Sequence, residues 1–327
     1  MSLAHDLTPQ LAAGRALSRA DVAGAVAALL DPAVFDDEKA AFLAALAQRG
    51  ETADEIAAFA LELHARAVDP SIQADRLLDI VGTGADGANT FNISSCTMFI
   101  AAAAGIAVAK HGNRAVTSKC GSADVLAALG ANIELPPAAA RRCLEKTGVT
   151  FLFAPLYHPA FKVIAPVRKK LRQRTIFNIL GPLVNPARPT HQLVGVFDRA
   201  LVAKFADVLR LLGLKRFLVV HGGGLDELTP FAENTIAGLS LQLPAPRSAP
   251  ADLTGGDPGA NAGIVRDVLA GKDRGPKREI VCWNAAAALV VAEAAGNFGD
   301  GLRRAAELID TGAAAEKLAR FVEASKT

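Results

Sequence analysis

The sequence predicts an α/β fold: a small all-helical domain, then a larger α/β domain with a mainly parallel central sheet flanked by helices. Three observations carry this. Residues 1–68 show helix caps and apolar helical spacing but no strand candidate. From about residue 75, short apolar runs alternate with helical stretches, the pattern of βαβ crossovers. The unusual polar motifs follow those runs, and ligands on parallel sheets sit outside the carboxyl ends of strands.

Taken in order, Ser18-Arg-Ala-Asp21 reads as an N-cap before an Ala/Val/Leu run, and Thr52 with Glu55 repeats the capping-box spacing before Ile56, Phe59 and Leu63. Asp69-Pro70 closes the segment as a turn. The strand candidates are Leu77–Val81, Ile106–Ala109, Val149–Phe153, Gln192–Val196 and Phe217–Val220. His158 to Arg174 reads as a basic helix, and its helical character returns it to the N-terminal helices. The expected domains are therefore 1–68 plus about 165–190, and about 72–164 plus 191–327. Residues 241–262, rich in Pro, Gly and Ala, read as a surface loop; helices then resume, with Trp283-Asn284 leading into a buried alanine-rich stretch.

At 327 residues and 51% apolar composition there is ample material for a core. A net charge of +2 supplies no bulk field for nucleic acid or an anionic membrane. The start, MSLAHDLTPQ, lacks a signal peptide's basic and apolar regions, and no apolar run reaches the roughly 18 residues of a membrane span. Four scattered cysteines, Cys96, Cys120, Cys143 and Cys282, fit neither a zinc site nor a disulfide framework and suit a reducing cytosol.

The chemistry concentrates between Asp79 and Gly130. Gly82-Thr-Gly84-Ala-Asp-Gly87 fits G-x-G-x-x-G after a strand. A dinucleotide site also needs a helix at the third glycine and an acidic residue at the end of the next strand. Here the helix starts near Asn92, and the next strand delivers Lys110-His111, a cation where the ribose needs a carboxylate. The other reading is a phosphate cradle: glycines expose backbone N–H groups, Asn92, Ser94 and Ser95 are good N-cap types, and Lys110 adds a point charge. An ordinary capped αβ turn is the plain alternative. Lys110-His-Gly-Asn-Arg114 and Gly121-Ser122-Ala-Asp124 weigh towards the cradle.

Four motifs together resemble the anthranilate phosphoribosyltransferase family. They are Asp79-x-Val-Gly-Thr-Gly-x-Asp86 with Thr90-Phe-Asn-Ile-Ser94; Lys110-His-Gly-Asn-Arg114 with Gly121-Ser-Ala-Asp-Val-Leu126; His158-Pro-Ala, Pro166-Val-Arg168 and Arg174 through Pro186; and Gly224-Leu-Asp-Glu227. The resemblance implies a hinge between the two domains, a homodimer through the helical domain, a cytoplasmic location, and Mg²⁺-dependent use of phosphoribosyl pyrophosphate (PRPP), with two ions per site. It implies PRPP contacts from Gly82, Gly84, Ala85, Asp86, Thr90, Asn92, Ile93, Ser94, Ser95, Lys110, His111, Gly112, Asn113, Ser118 and Ser122. Anthranilate would meet Gly82, His111, Asn113, His158, Arg168 and Pro182, and Ser94, Asp226 and Glu227 would hold magnesium. Lys110 and Arg168 would supply positioning and charge stabilisation, with no strong general base.

The residue types suit that chemistry. A departing diphosphate calls for Mg²⁺ and a lysine. Magnesium takes a few carboxylates plus ligand phosphates. The planar fork of Arg168 matches a carboxylate. Taken singly, Asp226-Glu227 also fits a solvated turn, His158 a helix cap, and Lys169 and Lys170 a wet helix face. The chain departs from the family at Ala85, where a glycine is usual, and in a shorter segment after Glu227. Two rival functions share the fold: a nucleoside phosphorylase, which would not need Asp226-Glu227, and a non-catalytic nucleic-acid binder, which would show a basic surface.

Overall fold

The computed structural model describes residues 2–84, 86–115, 119–247 and 252–327. Six strands form one sheet: β1 (Leu77–Gly82), β2 (Ala107–Gly112), β3 (Val149–Phe153), β4 (His191–Gly195), β5 (Arg216–Gly222) and β6 (Asn234–Gly238), in the order β3-β2-β1-β4-β5-β6. The first five are parallel and β6 runs antiparallel to β5. Strand order reverses between β1 and β4, so a crevice opens where their carboxyl ends diverge.

Two strands depart from the sequence reading. β2 extends through Lys110, His111 and Gly112, because these residues pair with Phe151, Leu152 and Phe153 of β3. Lys110 and His111 are thus strand residues, not a basic loop. β6 is an addition to the expected strands: it is a half-buried edge strand with no continuous apolar run.

One core packs the helices Ile93–Ala103 and Pro276–Val291 against a face of the sheet. The alanines from Ala285 to Ala288 are completely buried, and their small size lets the two helices approach closely. The other core joins the helices Arg19–Leu30, Asp36–Arg49 and Ala53–His64 to Ile164, Val167, Ile176 and Phe177 from the returning segment. It also takes in Val194 of β4, Val219 of β5 and the helix Leu201–Leu211. Both expected capping boxes form, at Ser18 with Asp21 and at Thr52 with Glu55. Glu55 additionally accepts from Arg49 and from the Leu17 amide, at 2.5 and 2.8 Å.

The returning helix is shorter than the expected 158–174. It spans Phe161–Leu171, contains Pro166, and stops at Arg172 in a left-handed conformation. The loop expected over 241–262 ends earlier, since Asp257 caps the helix Pro258–Leu269 through the Ala260 amide. Among the described residues no helix is long and apolar enough to cross a membrane. All four cysteines are buried single thiols.

Candidate active site

The strand period of two sends Lys110 and His111 to opposite faces of β2, and this divides the site. On the Lys110 side, the ammonium donates to the Ile80 carbonyl and to Ser94 Oγ (3.2 Å). Ser94 lies in the first turn of the helix Ile93–Ala103, and its amide donates to the Glu227 carboxylate. Burial pulls the Lys110 pKa below the usual lysine range, while Asp79, Glu227 and Asp226 pull it back up.

Asp226 is fixed by close approach. Gly82 and Gly195 pair across β1 and β4. A Cβ on Gly82 would lie 2.3 Å from Asp226 Oδ2, and one on Gly195 would lie 1.6 Å from the Asp226 carbonyl oxygen. Only glycine at both strand ends leaves room for the Asp226 loop. The Gly84 amide then donates to Asp226 Oδ2 at 2.7 Å. Behind the pair, Asn284 clamps the next residue: its Oδ1 accepts from the Leu228 amide (3.0 Å) and its Nδ2 donates to the Leu228 carbonyl (2.8 Å).

Burial, then Asp86, push the Asp226 carboxyl up to about 6. Burial and Asp226 push Glu227 well above the carboxylate range, against the pull of Lys110. Among the described residues no group of three or more His, Cys, Asp or Glu side chains forms a complete metal cage. Asp226, Glu227 and the Ser94 hydroxyl fit magnesium, which keeps ligand oxygens or water in its shell. Excess negative charge beside one lysine is what a divalent cation neutralises.

On the opposite side, His111 Nδ1 donates to the Gly181 carbonyl (3.3 Å) and its buried Nε2 has no partner. His158 Nε2 donates to the Val184 carbonyl (2.8 Å), so its ring is held by more than a capping role. Burial brings His111 down to about 3 and His158 to about 4, and both are neutral. Their rings start an aromatic ladder. His111 meets His158 edge-on at 5.2 Å, His158 stacks on Phe161 at 5.0 Å, and Phe161 meets Phe177 at 5.8 Å. Arg168 lies over Phe177 at 5.5 Å. The ladder runs from β2 to a guanidinium and suits a flat aromatic acid. Lys170 instead pairs with Asp37 at the surface, at 2.6 Å.

The structure thus brings Gly82, Gly84, Asp86, Ser94, Lys110, Asp226 and Glu227 together, and separately His111, His158 and Arg168. Asn92 holds the N-cap position without a capping hydrogen bond; its side chain donates to the Cys120 carbonyl and accepts from Asn261. Ser95 does not hold the N-cap position: it lies inside the first turn with its Oγ buried. Ile93 is buried beside it. Thr90 bridges to Thr254. Gly112 lets Ser122 close in, since a Cβ there would lie 2.3 Å from Ser122 Oγ. Asn113 is exposed, its loop organised by Asp124, which accepts from the Ala115 and Gly121 amides at 2.8 and 2.9 Å. Pro182 is buried in the strap Gly181–Asn185, its carbonyl accepting from Gln192. Ala85 and Ser118 lie outside the described residues. Phe161 joins the site without having been marked by sequence, and Phe177, Asn185 and Asn284 join it from stretches in which they had been given no role.

A helical bundle beside a switch-point sheet, with a glycine loop, a buried lysine and a carboxylate pair at one edge, is the architecture of a two-domain glycosyl transferase. Residues 5–67 match the helical bundle domain of the glycosyl transferase family, and residues 74–315 match its a/b domain. The chain belongs to the anthranilate phosphoribosyltransferase family. It is 47% identical over 323 residues to the enzyme of that name from Anaeromyxobacter sp. (strain K), covering 95% of this chain and 96% of that one. The crystal structure of the anthranilate phosphoribosyltransferase from Thermus thermophilus superposes with a TM-score of 0.93 at 38% identity, covering 98% of this chain and 100% of that one. The Saccharomyces cerevisiae enzyme in complex with PRPP and Mg superposes at 0.88 with 26% identity, covering 98% and 97%.

Proposed function

We propose that this chain transfers the phosphoribosyl group of PRPP to the amine of anthranilate, releasing pyrophosphate, as a step of tryptophan biosynthesis. One observation supports the reading: β2 sets Lys110 beside Ser94 and the next residue, His111, at the start of an aromatic ladder ending at Arg168. Two substrates of those chemistries would meet across a single strand end.

In this reading the diphosphate lies over Gly82, Gly84 and the helix start at Ser94, with Asp86, Asn92, Asn113 and Ser122 on the rest of PRPP. Asp226, Glu227 and Ser94 hold magnesium, two ions per site. When bound, magnesium neutralises diphosphate oxygens as the leaving group departs. Lys110 supplies a fixed positive charge on the same side. Arg168 grips the anthranilate carboxylate as a planar fork, and His111 and His158 wall its approach with Pro182 below. The C–O bond to diphosphate breaks as the C–N bond forms, the acidified ammonium then sheds its proton to the departing pyrophosphate or water, and the neutral amine needs placement more than a strong base.

The same reading gives a cytoplasmic homodimer, contacting through the helical domain of 1–68 plus about 165–190. Phe35, 75% exposed there, would supply an apolar anchor. Purified protein with PRPP and Mg²⁺ should consume anthranilate, seen as falling fluorescence. No decay above a protein-free control refutes the reading.

A further inference from the structure

A second cavity of about 300 Å³ lies behind the strap Gly181–Asn185, where the helix Ala53–His64 meets the end of the helix Leu201–Leu211. It sits towards the amino ends of β4 and β5, away from the carboxyl ends that carry the cradle. Its apolar walls include Leu61, Leu209 and Leu214. Its polar groups combine one buried acceptor without a partner, on His64, with two cations that are exposed to solvent. No ion pair or side-chain hydrogen bond engages Arg188 or Lys215 among the described residues, and both line the cavity. The backbone of Asn185 holds the His64 ring, while buried Nε2 has no partner. Burial keeps that imidazole neutral, at about 4, so Nε2 is an acceptor lacking a donor. Arg188 is also set there at a cost: it is a non-glycine residue at φ 48°.

Two cations, an acceptor nitrogen and apolar walls specify a ligand. We propose that this cavity is a second binding site, for a small organic acid with an apolar body and an N–H donor, the chemistry of an apolar amino acid. Its occupancy is felt at the acceptor channel, because the strap is a partition with contacts on both sides. On the channel side, Gly181 and Val184 carbonyls orient His111 and His158, and Asn185 Nδ2 donates to the Ala109 carbonyl of β2. On the cavity side, Pro182, Leu183 and Asn185 are wall residues. The site itself stands on geometry alone; its effect on the channel rests on the transferase reading above.

The test is calorimetry of the full chain with L-phenylalanine, and with 3-phenylpropionate, which lacks the donor. Phenylalanine should bind in the millimolar range and more tightly than 3-phenylpropionate. Arg188→Asn combined with Lys215→Ala should weaken phenylalanine binding at least about tenfold, since both cations go while asparagine tolerates the left-handed backbone. Arg168→Ala should leave it unchanged. No heat from the wild type up to about 10 mM overturns the site. Loss in Arg168→Ala with retention in the double variant also overturns it, because the probe then sits in the acceptor channel. Saturating phenylalanine should shift the KM for anthranilate at least about threefold in the wild type and not in the double variant; an unmoved KM overturns the coupling. If no turnover is found at all, the transferase reading has failed, and the calorimetry still decides the cavity.

Discussion

The two sides of β2 solve opposite problems with adjacent residues. On the Lys110 side, charge is left in excess: Asp86, Asp226 and Glu227 crowd together, and their raised pKa values at Asp226 and Glu227 record the cost. On the His111 side two imidazoles are held neutral by carbonyls, and aromatic faces continue the wall as far as Arg168. In the proposed reading, the difference teaches how one strand would serve two substrates. A polyanion with its metal is drawn to a site that is unstable without it, whereas a flat, weakly polar acceptor needs a surface already complete before it arrives.

The strongest way to break this contrast is to empty the charged side. Replacing Asp226 and Glu227 together by Ala should abolish magnesium-dependent turnover, a loss of at least about 10³-fold, while the protein stays folded. Persistent activity at saturating Mg²⁺ would falsify the metal assignment. Lys110→Met comes next: it keeps the bulk and removes the charge, and should cost about 10²–10³-fold in kcat. A KM effect alone would mean Lys110 binds ground state and transition state equally.

The fold was largely legible in the sequence. Apolar runs such as Val149–Phe153 are fully buried from both faces and announce themselves as parallel strands. The end of β2 was not legible, because Lys110 and His111 look like loop residues until β3 pairs with them. Asp226 could be marked as a metal ligand, but its anchor could not, since Gly84 lies 142 positions away and Gly195 looks like any strand residue. The ladder was half visible: His158 and Arg168 stood out as chemical types, whereas Phe161 and Phe177 carried no local signal. Asn185 and Asn284 lay in stretches the sequence singled out, but their site contacts are to backbone groups 76 and 56 positions away. A lone asparagine inside a buried alanine-rich helix was the one available hint.

The neutral side responds to smaller changes. Arg168→Ala should raise the KM for anthranilate about tenfold and leave the KM for PRPP unchanged, since only the acceptor's carboxylate loses a partner. An equal rise in both would show that the ladder and the cradle are not independent.

The smallest effect is on stability, and its sign separates the two sides. Asp226 sits at about 6 when folded against 3.8 as a free side chain. Its contribution to stability is therefore complete below pH 4 and is lost as pH rises through 6. His111 and His158 sit at about 3 and 4 against 6.5, so theirs is complete above pH 6.5 and is lost as pH falls through those values. Without divalent cations, Asp226→Asn should relieve a cost on the order of 2 kcal/mol above pH 6 and nothing at pH 4. The Gly84 amide keeps an acceptor in that variant. The gain should raise the melting temperature at pH 7.5 by a few degrees, whereas His158→Gln should flatten only the acid side of the profile. Melting curves from pH 4 to 8 decide it: an Asp226→Asn shift of equal size at both ends would mean the gain comes from packing and not from charge.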